Sequence, residues 1–270
     1  HMKHRLAVLA SSPSDAISKL AALHSSSFPD PRMTSSSSLL TSPTDGTSSD
    51  TPPVFFVFSG RGNEWPGMAI TALEWFPRLR TTLESLSDRV LHSHLGCPLL
   101  SALADTNRET SLICVGGTRV IVPAASAVQV GMDTHIKSWG DRPTALLGHS
   151  TGEIPMACSC GQFSSEDIAR LSCDFAVQQA TPTSVGALLL CFCSPSDATK
   201  LAEESGGFLS SVLSPQCAVT TGTKEVVHSI ALLAASRGIK TVPISVDEAA
   251  HSELMDPIQG PLRTVLEWAV

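Results

Sequence analysis

One short segment limits the possible folds of this chain more than any other part of it. An apolar run at residues 145–147 is followed by G-H-S-T-G at residues 148–152, and a helical pattern begins at Glu153. A G-x-S-x-G sequence between a strand and a helix is typical of a tight turn that exposes its serine hydroxyl above a sheet. The glycines permit close backbone approach, and the N–H groups of the following helix can stabilise negative charge on an attacked carbonyl. The segment therefore predicts a nucleophile, Ser150.

Strand and helix patterns alternate around this turn. Residues 54–58 form a continuous apolar run bounded by proline and glycine, which predicts a strand buried on both faces. Helical patterns follow at about 68–75, 76–92 and 122–139, before a strand at 144–147. Strands that alternate with helices indicate a parallel α/β sheet.

A different pattern begins near residue 185. It predicts strands at 186–193, 217–221 and 240–246, separated by helices at 196–204 and 224–236. This order is typical of a small ferredoxin-like α+β subdomain. We therefore assign residues 54–184 and 247–270 to a large α/β-hydrolase-like subdomain with a parallel sheet, and residues 185–246 to a small subdomain inserted in it. A cleft between the two is the expected place for a substrate.

The first part of the chain has a different composition. Residues 5–10 and 14–23 predict a strand and an amphipathic helix, so residues 1–24 are interpreted as a strand-helix segment. Residues 25–53 are rich in Ser, Thr, Pro and Asp. Because such a segment buries too little apolar surface to offset the entropy lost on ordering, we predict that it is an unstructured linker.

Charge and composition argue against several classes of protein. The net charge is −7, and no cluster of Lys and Arg suggests a nucleic-acid partner. No apolar run approaches the roughly 20 residues that span a bilayer, so we expect a soluble, cytoplasmic protein with no membrane partner. The eight cysteines form no C-x-x-C pair and are expected to be reduced and packed. The nine histidines show no metal-binding spacing, so no metal is predicted.

A nucleophilic serine needs a base, and histidine is the usual one. His251 lies in a loop just after the last predicted strand of the small subdomain, at the entry to a helix, and it is the predicted base. His149 adjoins Ser150, but neighbouring side chains on a sharp turn point apart, which favours a packing role. The other candidates lie on or beside predicted helices, where a solvated side chain is expected: His92, His94, His135 and His228.

Four short motifs occur along the chain in the same order as in a known protein family. They are V-F-S-G-R-G at 57–62 with W-P-G-M at 65–68, P-A at 123–124 through A-V-Q at 127–129, the turn at 148–153, and A-H-S-E-L-M at 250–255. Over about residues 54–270 the chain resembles the acyltransferase domains of type I polyketide and fatty acid synthases, relatives of malonyl-CoA:acyl carrier protein transacylases. The family carries Gln where this chain has Arg61.

The resemblance implies a two-step reaction. Ser150 attacks an acyl-CoA with His251 as base, and the phosphopantetheine thiol of an acyl carrier protein then takes the acyl group. The backbone N–H groups of Arg61 and Thr151 would form the oxyanion hole, and Gly60 and His149 would adjoin the substrate. Since both of these implied roles belong to the main chain, the exchange of Gln for Arg61 need not abolish them. The resemblance implies no permanently bound cofactor, and it implies neighbouring synthase domains such as a ketosynthase as partners.

Departures from the family pattern concern the substrate. Phe175 occupies the position, 25 residues after the serine, where malonyl enzymes carry a carboxylate-binding arginine, whereas Arg170 matches a different, non-clamping arginine. A malonyl carboxylate beside Phe175 would lose its paired hydrogen bonds. The family's H-A-F-H reads E-A-A-H at 248–251, so Ala250 is expected to widen the pocket and Glu248 to repel a carboxylate. We therefore expect an uncharged acyl group such as acetyl or a longer chain, with hydrolysis as a side reaction, while malonyl-CoA stays open. The family's final strands, and the main-chain or amide group there that orients the histidine, lie beyond Val270, so poor folding or a loosely held His251 is the expected consequence.

Two alternatives remain at this point. An α/β-hydrolase-type esterase or thioesterase would need an acid between serine and histidine in chain order, for which Asp174 and Asp247 are candidates. A degenerate, non-catalytic docking domain would explain Phe175 and Arg61.

Overall fold

The computed structural model describes residues 4–8, 11–25, 39–43, 53–140, 142–181, 185–244 and 246–267. The chain divides into two compact units, His1–Pro52 and Pro53–Val270.

The first unit contains a small antiparallel ladder. The elements described in this unit are strand β1 (His4–Val8), helix α1 (Pro13–Ser25) and strand β2 (Leu39–Pro43). Strand β1 pairs with β2 so that His4 is opposite Pro43. Strand β2 differs from the expectation of an unstructured linker over residues 25–53, because pairing with β1 supplies backbone partners that composition does not reveal. The rest of that linker prediction, from residue 26 to 38 and from 44 to 52, lies outside the described residues.

The large subdomain is built on two parallel strands, β3 (Phe55–Phe58) and β4 (Ala145–Gly148). The helices between them are α2 (Ile70–Trp75), α3 (Pro77–Leu86), α4 (His92–Leu95), α5 (Leu99–Ala104), α6 (Leu112–Val115) and α7 (Gly117–Lys137), with a π-helical turn at Ser87–Leu91 joining α3 to α4. A 3₁₀ turn (Ser150–Gly152) follows β4 and leads into α8 (Glu153–Ser159) and α9 (Ser165–Gln179).

The core of this subdomain forms where α7 packs against α3 and α9. Leu79, Leu83 and Leu86 of α3 recur at helical spacing and are almost completely buried. A Cβ at Gly131 of α7 would lie 2.5 Å from Leu79 Cδ1, so this glycine allows the two helices to approach closely. Each fully buried leucine contributes about 1.5–3 kcal/mol relative to exposure.

Helix α7 begins five residues before the predicted start at residue 122, and it contains Pro123 in its second turn. Proline has no N–H group, so the carbonyl of Arg119 loses its usual helical donor. The ring N–H at Nε2 of His94 donates to that carbonyl instead, at 2.8 Å. The helix therefore continues through the proline because another helix supplies the missing hydrogen bond.

The prediction that residues 54–58 are buried on both faces is wrong. Phe58 is 4% exposed, but Phe55 and Val57 are 62% and 66% exposed, and Leu147, paired with Val57, is 60% exposed. In the described chain β3 has only β4 as a neighbour, and helix α8 contacts the two strands. One apolar face of this short sheet is consequently uncovered.

The small subdomain has the predicted ferredoxin-like topology. Its elements are β5 (Ala187–Cys191), α10 (Pro195–Ser205), β6 (Phe208–Ser214), β7 (Cys217–Gly222), α11 (Lys224–Ser236) and β8 (Thr241–Ile244). The sheet order is β6-β7-β5-β8 with all neighbours antiparallel, as a split β-α-β arrangement requires. Strand β6 was not predicted, because its F-L-S-S-V-L-S sequence lacks clean alternation and its register with β7 shifts twice.

After the small subdomain the chain returns to the large one. A 3₁₀ helix (Glu253–Ile258) leads into α12 (Gln259–Glu267), which packs against α9. None of the helices described is long and apolar enough to cross a membrane. All eight cysteines are free: three are buried, three are half-buried, and Cys114 and Cys160 are exposed.

Candidate active site

The turn that carries Ser150 is shaped by close packing between β3, β4 and α8. A Cβ at Gly152 would overlap the carbonyl oxygen of Phe58, and one at Gly148 would lie 2.7 Å from Glu153 Cα. The His149 N–H donates to the Phe58 carbonyl at 2.9 Å, which ties the turn to β3. Ser150 itself has φ 53°, a left-handed conformation that is rare for residues with a side chain. These contacts explain the two glycines and place the serine hydroxyl at the tip of the turn.

The structure brings Ser150 and His251 together. The distance from Ser150 Oγ to His251 Nε2 is 3.0 Å, which permits a hydrogen bond. His251 also has a left-handed backbone, with φ 60°. Strained residues of this kind cluster at functional sites, where the surrounding structure holds them in place.

Side-chain hydrogen bonds hold the loop that carries His251. The Ser252 hydroxyl donates to the Ala249 carbonyl at 2.6 Å, and the Ser210 hydroxyl of β6 donates to the Ala250 carbonyl at 3.2 Å. No acceptor for His251 Nδ1 is found within the described part of the chain. Asp247 pairs with Lys224 at 3.0 Å, and Asp174 lines a cavity with His94, so neither candidate acid is bonded to the imidazole.

The predicted oxyanion donors lie beside this pair. A Cβ at Gly60 would lie 2.7 Å from the His149 carbonyl oxygen and 3.1 Å from Ser150 Cβ, so the turn after β3 passes close to the serine. The Gln129 side chain of α7 donates to the Ser59 carbonyl at 3.1 Å and holds this turn. Among the described residues, the main-chain N–H groups of Arg61 and Thr151 have no backbone partner. Both N–H groups therefore remain available to a ligand.

Two cavities meet at Ser150 and His251. The larger, of about 550 Å³, has apolar walls that include Phe175, Met255 and Leu262. The smaller, of about 150 Å³, is lined by strands of the small subdomain through residues such as Leu188 and Val219, and by His149, Arg61 and Glu248. Ala250 lines both cavities. Ser150 and His251 thus lie where the two cavities adjoin.

Phe175 and Arg170 have different surroundings although both belong to α9. Phe175 faces the larger cavity, and no Lys or Arg side chain lines that cavity in the described chain. Arg170 lines a separate cavity with His94 and Cys173. Of these two positions on α9, only that of Phe175 would place a cation at the cavity beside Ser150 and His251.

Glu248 differs from its expected role as a source of repulsion. The residue is 4% exposed, and its carboxylate lies 2.9 Å from Nη1 of Arg61, so its charge is compensated. The Thr118 hydroxyl donates to the other carboxylate oxygen. Glu248 therefore does not present an unpaired negative charge to a ligand, and repulsion from it is not a reason to disfavour a carboxylated substrate.

The histidines outside the site are partly as expected. His92 and His228 are exposed, whereas the expectation of a solvated His135 is wrong. His135 is 6% exposed, and its ring lies 4.5 Å from Phe76 and 4.9 Å from Trp139. Its position on the inner face of α7 explains the burial.

Sequence reasoning missed Gln179, which lines both cavities. The residue is four positions after Phe175 on α9 and therefore lies on the same helix face. The sequence does mark the start of α9, the helix that carries Gln179, because Ser164 and Asp167 form a capping box there. In this box the Ser164 hydroxyl accepts from the Asp167 N–H. Two hydrogen bonds from Ser164 hold the pKa of the Asp167 carboxyl below its usual value.

The fold and the serine turn define an α/β protein with a strand-turn-helix elbow and an inserted ferredoxin-like subdomain. The family described as "Acyl transferase domain" matches residues 55–270, and the chain belongs to that family.

Curated relatives are large synthases. Highly reducing polyketide synthase 40 of Fusarium mangiferae is 28% identical over 227 residues, which cover 80% of this chain and 9% of that protein. A mycocerosic acid synthase-like polyketide synthase of Mycolicibacterium smegmatis is 30% identical over 223 residues, 80% of this chain and 10% of that protein. The chain thus spans a tenth or less of the length of these relatives.

Solved structures share the fold. The acyltransferase domain from the second module of the salinomycin polyketide synthase has a TM-score of 0.77 at 25% identity, covering 98% of this chain and 59% of that one. A loading acyltransferase from the avermectin modular polyketide synthase has a TM-score of 0.71 at 27% identity, with 79% and 68% covered. The malonyl CoA-acyl carrier protein transacylase of Coxiella burnetii, at 22% identity and a TM-score of 0.70, covers 80% of this chain and 69% of that one and supports the fold alone.

Proposed function

We propose that this chain takes an acyl group from acyl-CoA onto Ser150 and passes it to the phosphopantetheine thiol of an acyl carrier protein. The observation that supports this most directly is the 3.0 Å distance from Ser150 Oγ to His251 Nε2, at the point where two cavities join. The synthase relatives make neighbouring domains, such as a ketosynthase, the expected partners.

The first half-reaction forms an ester. Ser150 Oγ attacks the thioester carbonyl while His251 Nε2 accepts the hydroxyl proton, which gives a tetrahedral oxyanion. The N–H groups of Arg61 and Thr151 donate to this oxyanion, each worth about 3 kcal/mol. The C–S bond then breaks, the imidazolium returns its proton to the departing CoA sulfur, and acyl-Ser150 remains.

The second half-reaction reverses these roles. His251 accepts the proton of the carrier's thiol, the sulfur attacks the acyl-serine carbonyl, and the same N–H groups bind the oxyanion. The C–O bond breaks, and the proton passes from His251 to Ser150 Oγ. Water that enters in place of the thiol gives hydrolysis, which is the expected side reaction.

The preferred acyl group is uncharged, as in acetyl or a longer chain. Phe175 gives the larger cavity an apolar wall, and Arg61 is the single Lys or Arg lining either cavity in the described chain. Because the Arg61 guanidinium is paired with Glu248, a malonyl carboxylate would be desolvated without a partner. Ala250, which replaces a bulky aromatic of the family pattern, leaves room for a longer chain.

Intact-mass spectrometry with acetyl-, octanoyl- and malonyl-CoA in competition tests both the reaction and the substrate. We expect acetyl or octanoyl adducts that disappear in Ser150→Ala and that transfer to a carrier bearing phosphopantetheine. Absence of an adduct with every thioester would leave the docking-domain alternative, and preference for oxygen esters without transfer would favour a hydrolase. A dominant malonyl adduct would overturn the substrate preference alone.

An arginine introduced at position 175, where the family pattern carries one, provides a second test of the substrate preference. Phe175→Arg is expected to raise the malonyl-to-acetyl adduct ratio by at least about tenfold, because a buried guanidinium can pair with the carboxylate. Phe175→Leu is the matched control, since it alters the wall without adding charge and should leave the ratio near that of the unmodified chain. An unchanged ratio in Phe175→Arg would show that this position does not face the acyl group.

A further inference from the structure

A buried ion pair connects the turn after β3 to the loop that carries His251. Arg61 Nη1 lies 2.9 Å from Glu248 Oε2, and the two side chains are 13% and 6% exposed. Thr118 completes the group, because its hydroxyl accepts from Arg61 Nη1 at 2.5 Å and donates to Glu248 Oε1. We call Arg61, Thr118 and Glu248 the anchor cluster.

The anchor cluster joins three separate elements around the site. Arg61 belongs to the turn whose main-chain N–H is a proposed oxyanion donor, Thr118 to the first turn of α7, and Glu248 to the loop after β8. The ion pair spans 187 residues of sequence. The turn beside Ser150 and the loop that carries His251 are therefore connected by the contacts of the anchor cluster.

The segment between Glu248 and His251 has little freedom to absorb a movement. Glu248 forms an isolated bridge with Val185, and Ala249 is completely buried. A Cβ at Gly186 would lie 2.5 Å from Ala249 Cβ, so the two chains are in close contact. A displacement of Glu248 is consequently transmitted to the strained backbone of His251, three residues later.

We infer that the anchor cluster is a positioning device that sets the distance between His251 and Ser150 and the place of the Arg61 N–H. The inference rests on the proposed acyl transfer. A buried ion pair adds little net stability relative to apolar residues, but any arrangement that separates its charges is strongly disfavoured. The pair therefore selects one position of the histidine loop, and its effect falls on the rate of Ser150 acylation more than on the affinity for the acyl donor.

Three variants in the full chain test this inference. Arg61→Gln and Glu248→Gln each leave the other residue as an unpaired buried charge. The double variant Arg61→Gln/Glu248→Gln removes both charges, so it can still be measured if a single variant folds poorly. Asp247→Asn is the matched control, because Asp247 adjoins Glu248 but its carboxylate is 83% exposed and pairs with an exposed lysine. Single-turnover acylation by acetyl-CoA gives a saturating rate and a half-saturating concentration for each variant, and thermal unfolding gives its stability.

A small displacement of reacting groups can cost about 100-fold in rate, so we expect each single variant to lose between about 10-fold and 100-fold in saturating rate with a nearly constant half-saturating concentration. The double variant is expected to lose no more than the worse single variant, because the two charges act as one unit. Asp247→Asn should stay within about twofold, as exposed pairs contribute little. A lower melting temperature with an unchanged saturating rate would show that the cluster is only structural and would overturn the inference, as would a rise in half-saturating concentration alone.

A fluorophosphonate probe separates this inference from the proposed function. The probe phosphonylates an activated serine without any CoA recognition, with fluoride leaving as the serine oxygen bonds to phosphorus. If the unmodified chain reacts with the probe but with no thioester, acyl transfer fails while the anchor cluster is still tested by the labelling rates of the same variants. Equal labelling of all variants would overturn the positioning role even where acyl transfer is intact.

Discussion

Ser150 and His251 are both held in the left-handed region of backbone space, but the two residues are held by different means. Ser150, with φ 53°, is fixed by local chain geometry: a strand before it, a helix after it and glycines that admit close contacts on both sides. His251, with φ 60°, is fixed by side chains from other elements, namely Ser210 on β6 and Arg61 through Glu248.

This difference determines whether a substitution in each half of the site mainly affects stability or mainly affects the reaction rate. A change of shape at the serine turn affects backbone packing between β3 and α8, so its cost appears in stability. A change near the histidine loop removes a polar contact, so its cost appears first in the rate. Stability and rate measurements on matched variants can therefore test the contrast directly.

The largest effect is expected from the reacting groups themselves. Ser150→Ala should abolish the acyl adduct, because no oxygen remains to carry the acyl group. His251→Ala should keep the adduct but slow its formation by about 10²–10⁴-fold, the usual contribution of a general base. Single-turnover mass spectrometry measures both, and an adduct retained in Ser150→Ala would place the nucleophile elsewhere.

A stability effect of intermediate size is expected at the serine turn. Gly152→Ala places a Cβ against the Phe58 carbonyl and should lower the free energy of unfolding by about 1–3 kcal/mol through overpacking. Gly260→Ala in α12 is the control, since its added Cβ would point into open space. The helix propensity of alanine predicts a gain of up to about 1 kcal/mol there. Urea unfolding compares the two, and equal values would contradict the packing explanation of the turn.

The smallest effect concerns the reactivity of the cysteine thiols. Cys160, at the end of α8, is exposed, whereas Cys191 on β5 is buried and burial raises the pKa of its thiol. Burial also raises the pKa of Cys173 to about 12. Because the thiolate is the reactive form, iodoacetamide at pH 8 should label the exposed Cys114 and Cys160 first and leave Cys173 and Cys191 unlabelled until the chain unfolds. Peptide mapping checks the order, and early labelling of Cys191 would indicate that the small subdomain opens readily.

The same contrast explains what the sequence could and could not predict. The elbow was predictable because its strand, glycines and helix are consecutive, and the helix α11 (Lys224–Ser236) was predicted at its observed bounds for the same local reason. Strand β6 escaped prediction because it is stabilised by pairing with β7, although its own sequence is rich in serine. The exposure of Phe55 and Val57 depends on which elements cover the sheet, and an apolar run does not record this.

Candidate site residues divide along the same line. Motif order was enough to bring Ser150 and His251 into one hypothesis, and the structure places them 3.0 Å apart. The pairing of Arg61 with Glu248 was out of reach, because no local pattern indicates which of many charged residues meet across 187 positions. Their contact also changes the interpretation of Glu248 from a repelling charge to a compensated one.

The hydrogen bond from His94 to the Arg119 carbonyl has a consequence for the scaffold as a whole. The Arg119 carbonyl can only accept, so the ring N–H at Nε2 of His94 supplies the donor that Pro123 lacks. The repaired helix α7 carries Thr118 and Gln129, which reach the turn beside Ser150. A side chain on α4 therefore supports, through α7, the turn that carries the Ser150 side of the site, although no residue of α4 lines either cavity.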